Sequence, residues 1–183
     1  MKQIIIFSLL ATAIFSTVRA QNYITRNGNV SIFSHTPLED IKAQNNEAVS
    51  VLNSATGDIE FKVAVKSFHF PKASMEEHFN TDDYMDSEKY PKAGFKGKIN
   101  KLSEVNFAKD GTYKVTVQGD LTMKDATKSI TAQGIITVGG GVVTAQSTFT
   151  INRKDFHIIG ESYVQKRIAE QIEITVNCKY DKR

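Results

Sequence analysis

The sequence predicts an all-β protein of antiparallel strands with one short helix set among them. Three observations predict it. Apolar residues recur at every second position in segment after segment, which is the pattern of a strand with one face in a core and one in water. Turn signals at Thr56-Gly57-Asp58, Asp110-Gly111 and Gly139-Gly140-Gly141 separate these segments. One stretch, Ser74 to Phe95, stops alternating and carries a helix signature instead.

The chain begins with a segment of another kind. Lys2 makes a basic start, Ile4 to Phe15 is an apolar run without an acid, and Val18-Arg19-Ala20 offers short residues for cleavage. Residues 1–20 are therefore expected to be a signal peptide cut before Gln21, leaving residues 21–183 as a single domain that is periplasmic or secreted. The run is too short for a comfortable membrane span and is broken by Thr12 and Ser16, so no integral membrane segment is expected in the mature chain. Removing residues 1–20 takes away Lys2 and Arg19 and no acid, so the formal charge falls from +3 to +1. A near-neutral domain gives no electrostatic case for nucleic acid or an anionic surface. Cys178 is the only cysteine, so an exported fold has no internal disulfide and must be held by packing.

Along the mature chain, Val30, Ile32 and Ser34 start the alternation. A polar loop is expected from Pro37 to Glu47, and a strand from Ala48 to Ala55. Across the turn at Gly57, Ile59, Phe61, Val63 and Val65 face in while Glu60, Lys62 and Lys66 face out, completing a hairpin. The helix is expected over about residues 72–83, with Ser74 and Glu77 forming a capping box. It places Met75, His78 and Phe79 on one face. Pro91 ends the excursion.

Beyond it, Ala93, Phe95 and Ile99 alternate with Lys92, Lys96 and Lys98, and Tyr113, Val115, Val117, Leu121 and Met123 with polar residues. Strands at Ser129 to Val138 and Val142 to Asn152 flank the glycine turn. Ile172, Ile174, Val176 and Cys178 mark the last strand. About eight strands at this spacing suit a sandwich or a barrel. Periodicity does not choose between them, but closure removes the sheet edges that a protein without disulfides would otherwise expose.

No constellation demands catalysis. His35, His69, His78 and His157 sit singly in different segments, without metal-ligand spacing. Cys178 continues an inward parity and reads as a small buried hydrophobe. Gly160-Glu161-Ser162-Tyr163-Val164 lacks the closing glycine and the strand-to-helix context of a nucleophile elbow. The triple glycine opens no helix and is no phosphate loop. The paired acids Glu76-Glu77 and Asp82-Asp83 diverge as neighbours do. Lys92, Lys96, Lys98 and Lys101 are an outward strand face. Arg153 is more informative, because it extends the inward parity of Phe149 and Ile151. A charge there must either be paired, with Asp155 or the acids of the helical segment, or stand at a barrel rim and meet a polar headgroup.

Three motifs in order resemble the YceI-like family of bacterial proteins. Around the helix they are His78-Phe79, Asp83-Tyr84-Met85-Asp86, Tyr90-Pro91 and Phe95. Further on come Gly119-Asp120-Leu121-Thr122 with Thr127-Lys128, then Arg153-Lys154-Asp155-Phe156. Asp125 and His157 stand where the family usually has glycine, and Met85 where it has an aromatic. The resemblance implies an eight-stranded antiparallel, lipocalin-like barrel with the helix over one end. Its elongated apolar cavity would hold a polyisoprenoid or similar amphiphile, with no catalytic residues and no cofactor.

On that footing the expected function is non-enzymatic binding or carriage of an isoprenoid or other apolar-chain lipid. The cavity wall would comprise Phe61, Val63, Val65, Phe79, Phe95, Ile99, Val115, Val117, Phe149, Ile151, Ile174 and Val176, with Arg153 at the rim for the headgroup. Each wall position would be apolar in a solid core as well. The alternative is therefore a filled barrel acting through its surface as a structural or interaction module. A homodimer is left open.

Overall fold

A computed structural model describes residues 21–182. The expected signal peptide and its cleavage site fall on residues 1–20, outside the described residues. Eight strands run β1 (Asn22–His35), β2 (Asp40–Asn53), β3 (Asp58–Ala64), β4 (Lys92–Asn100), β5 (Gly111–Met123), β6 (Ala126–Gly139), β7 (Val142–Asn152) and β8 (Gln171–Lys182). Each pairs antiparallel with the next, and β1 pairs with β8, closing a barrel. The one α-helix among the described residues, α1 (Ala73–Asn80), lies between β3 and β4. The choice between sandwich and barrel thus falls to the barrel.

Because the strands run up and down, the connections gather at two ends. Residues 65–91, the turn at 124–125, the 153–170 loop and the β1–β2 turn share the helix end. The tight turns at Gly57 and at Gly140-Gly141 lie at the far end. These three glycines have positive φ (76°, 56° and 81°), a conformation that lets so short a turn follow the strand twist without a Cβ clash.

Two strands are longer than the alternation suggests. β1 begins at Asn22 rather than Val30, because its ladder shifts register between Thr25, Gly28 and Val30. Such bulges reset the two-residue period. Gly28 fits there because a Cβ would come within 3.0 Å of the Ala48 carbonyl oxygen and the Cys178 sulfur. β2 begins at Asp40, inside the expected polar loop. Its inward position Asn45 is fully buried, with Nδ2 donating to the Ala64 carbonyl (2.8 Å) and Oδ1 accepting from the Glu47 N–H (2.8 Å). A satisfied polar residue in the core hides the strand from a hydrophobic pattern.

The helix falls within the expected span, but its cap differs. Lys72 is the N-cap and makes no side-chain cap bond, so Ser74 sits inside the first turn, exposed, and no capping box forms. The Glu76 carboxylate instead accepts from the Phe70 N–H at 3.2 Å. Phe79 anchors the helix through ring contacts with Phe68 (centroids 5.5 Å apart) and Phe70 (5.0 Å). Val65 belongs to a short 3-10 turn rather than to β3, yet still points inward and is 1% exposed.

Candidate functional site

The interior side chains do not fill the barrel. A cavity of about 550 Å3 runs down the middle, lined almost wholly by apolar side chains. Phe61 and Val63 of β3, Val65 just beyond it, Phe79 of α1, Phe95 and Ile99 of β4, and Val115 and Val117 of β5 all line it. So do Phe149 and Ile151 of β7 and Ile174 and Val176 of β8. Phe61, Val63, Phe95, Val117 and Phe149 point inward and yet stay only half-buried. An inward residue keeps accessible surface only where nothing packs against it, so these mark the hollow.

Two glycines shape the middle of this space. Gly97 and Gly119 are partners across β4 and β5. A Cβ on Gly119 would lie 2.3 Å from the Gly97 Cα, and one on Gly97 would lie 2.5 Å from the Phe95 ring. The Phe95 ring therefore lies over bare backbone, and the two strands approach more closely than any side chain would allow.

At the helix end the lining passes to Ile41, Phe70, Met75, His78, Tyr163, Val164 and Ile168, with Ser34, Glu39 and Arg167 as polar members. This is the mouth. Glu39 faces Lys72 at 3.4 Å and Arg167 at 3.7 Å, linking the β1–β2 turn to the helical segment and to the 153–170 loop. Glu39 and Arg167 carry no signal in the sequence: each stands in a polar stretch without periodicity, and only the fold brings them together. Leu121, Met123, Ile130 and Ile136 also line the cavity. Leu121 and Met123 share the inward parity of Val115 and Val117.

Arg153 is 3% exposed and faces the cavity from beneath this mouth. It forms no ion pair among the described residues, so the expected partner carboxylate is absent. Its guanidinium donates instead to three carbonyls: Nε to Ala169 (3.1 Å), and Nη1 to Ile158 (2.6 Å) and Ile159 (2.5 Å). A planar fork of donors suits converging carbonyls better than one point charge would. Burial pulls its pKa down, partly opposed by the negative charge of Glu170 and by Tyr84. The side chain holds the 153–170 loop across the barrel end and leaves a positive charge, with Nη2 unbonded among the described residues, behind the mouth. Tyr84 helps hold the same loop, since its ring packs on Gly160 (φ 75°), where a Cβ would come within 2.9 Å.

The four histidines are exposed and separate. His35 pairs with Asp40 (2.6 Å), His157 with Asp125 (2.9 Å) and His69 with Glu76 (3.5 Å), while His78 lines the mouth. Among the described residues no group of three or more His, Cys, Asp or Glu side chains could hold a metal ion. Cys178 is buried, and burial pushes its thiol up to about 11. Tyr180, also pushed up by burial, shares a hydrogen bond with Ser50 Oγ at 2.9 Å.

A closed antiparallel barrel of eight strands whose interior stays hollow defines the class of small barrels able to enclose one apolar ligand. The sequence matches the YceI-like domain over residues 12–180, and the chain belongs to that family. No curated protein matches it. Among solved structures it is similar to a polyisoprenoid-binding domain from Saccharophagus degradans implicated in plant cell wall breakdown, at a TM-score of 0.77 and 10% identity, covering 90% of this chain and 100% of that one. It is also similar to BcnA of Burkholderia cenocepacia (TM-score 0.69, 19% identity, 84% and 96% covered). A third similar structure is the YceI protein of Campylobacter jejuni (0.63, 18%, 81% and 90%).

Proposed function

We propose that the protein is a non-enzymatic carrier that acts after export, in the periplasm or outside the cell, and holds an isoprenoid or other apolar-chain lipid inside the barrel. The observation that carries this reading is the continuous apolar cavity, into which three phenylalanines from β3, β4 and β7 project and stay only half-buried. Each methylene moved from water into such a space contributes about 0.8 kcal/mol, so a few isoprene units supply on the order of 10 kcal/mol. That exceeds the several kcal/mol or more lost on association. The twelve wall residues would supply affinity. The headgroup would stay at the mouth, oriented by the charge of Arg153 behind it and by His78 and Arg167 around it.

Membership of the YceI-like family and the polyisoprenoid-binding neighbour support the ligand class. No helix among the described residues is long and apolar enough to cross a membrane. A filled barrel acting through its surface requires an interior without a continuous cavity, and the hollow counts against it.

The test is organic extraction and mass spectrometry of protein purified from its native host. Titration with prenyl phosphates and quinones at micromolar concentration accompanies it. A co-purifying lipid, and loss of binding in a folded Phe95→Glu variant, are expected. A lipid-free extract together with no binding in the titration would sink the proposal.

A further inference from the structure

Away from the helix end the barrel interior is filled in layers. Val138, Val143 and Tyr180 are register partners across β6, β7 and β8, all buried and none lining the cavity. Two residues nearer the mouth, the partners Ile136 and Ala145 do line it. On the β6–β8 side the hollow therefore stops between these layers. Tyr180 is 2% exposed and is tied to fully buried Ser50 of β2, so its ring is held on both sides of β1. Tyr23, stacked on Phe107 with centroids 5.5 Å apart, closes the space below.

We propose, on the footing of the carrier reading above, that this floor sets the length of chain the protein accepts, and that the fitting ligand has about four isoprene units. The part of β5 facing the cavity, Val115 to Met123, runs roughly 20 Å along the axis at ~3.3 Å per residue and a tilt of ~40°. An extended isoprene unit, with four chain bonds of ~1.5 Å, occupies about 5 Å. A cavity of about 550 Å3 also lies inside the span of roughly 300–1,000 Å3 that encloses ligands of drug size rather than very long chains. Carbons beyond the fourth unit meet the Tyr180 layer and must remain outside the mouth, where they gain nothing from the wall. Tyr180 and Val143 are then specificity-determining residues, although they lie below the lining.

The test is calorimetric titration of the whole mature chain with prenyl diphosphates of two to six units. Affinity is expected to rise about tenfold or more per unit up to the fourth and to level off beyond it. Tyr180→Ala and, independently, Val143→Ala are expected to move the plateau to the fifth unit. Thr137→Ala, on the outer face beside the floor, leaves it in place, and circular dichroism checks that each variant is folded. Affinity still climbing beyond the fifth unit in the unaltered protein overturns the proposal while leaving lipid carriage standing. So does a plateau unmoved in a folded floor variant. If both floor variants unfold, the wild-type series decides. No binding at any length overturns the carrier reading and this inference together.

Discussion

At the far end of the barrel Val138, Val143 and Tyr180 fill the interior from three adjacent strands, whereas towards the helix end Phe61, Phe95 and Phe149 face inward and stay half-buried. Both ends follow the same in-out alternation. They differ in what closes them. The far end is stopped by side chains of the wall itself, locked by a buried hydrogen bond. The helix end is covered by segments laid across it, residues 65–91 and 153–170, held through Arg153, Tyr84 and the ion pairs of Glu39. A hollow with a fixed floor and a separately fastened cover follows from that difference.

The largest expected effect breaks the cover. Arg153→Met strips the donor from three carbonyls, and at 1–3 kcal/mol for each group left unsatisfied the loss should reach about 3–4 kcal/mol, read by chemical denaturation. Arg153→Lys should recover only part of it, because one ammonium cannot span all three. An unchanged midpoint would mean the cover is fastened elsewhere.

Next comes the waist between the two ends. Gly119→Ala forces β4 and β5 apart and should cost about 2–3 kcal/mol. Gly139→Ala, where nothing lies within 4 Å of the added methyl, should stay within about 0.5 kcal/mol. A third pair sharpens the contrast of solid against hollow. Val138→Ala opens a void in packed surroundings and should cost about 2 kcal/mol, while Val63→Ala on the cavity wall should cost about 1 kcal/mol or less. Equal costs would mean that both halves are packed alike.

The smallest effect is that of acid. Hydrogen bonds from His157 to Asp125, from Lys154 to Glu170 and from Thr56 to Asp58 hold these carboxyls below their ordinary range. A carboxyl with a depressed folded pKa stabilises above its unfolded value, and that contribution disappears as pH falls through the folded one. All three pairs are exposed, so the effect is slight. Two of them sit at the covered end. Asp125→Asn together with Glu170→Gln should flatten the fall of Tm below about pH 4 more than Asp58→Asn does.

The alternation made most of this legible. Ile59 to Val65, Ala93 to Ile99, Val142 to Asn152 and Ile172 to Cys178 point where their parity says. The breaks come where another requirement overrode the period. The bulges around Gly28 let the chain pass Cys178 and cost β1 its rhythm, and Asn45 spends an inward position on fixing its own bulge. Ser74 with Glu77 satisfied the pattern of a capping box, but with the aromatic contacts of Phe79 and the Glu76 bond to Phe70 the helix starts two residues earlier, capped at Lys72. At Arg153 the parity showed the direction of the side chain and not its partners. Carbonyls five, six and sixteen residues further on leave no trace in composition.

The lone thiol follows from this architecture in a further way. Cys178 is wedged against Gly28, and burial pushes its thiol up to about 11, so it stays protonated at neutral pH. Since thiolates are the species that attack disulfides and alkylating reagents, the folded molecule is shielded from mixed disulfides under oxidising conditions. Labelling of Cys178 should accordingly report how often β1 and β8 part, turning one atom into a clock for the opening of the seam that closes the barrel.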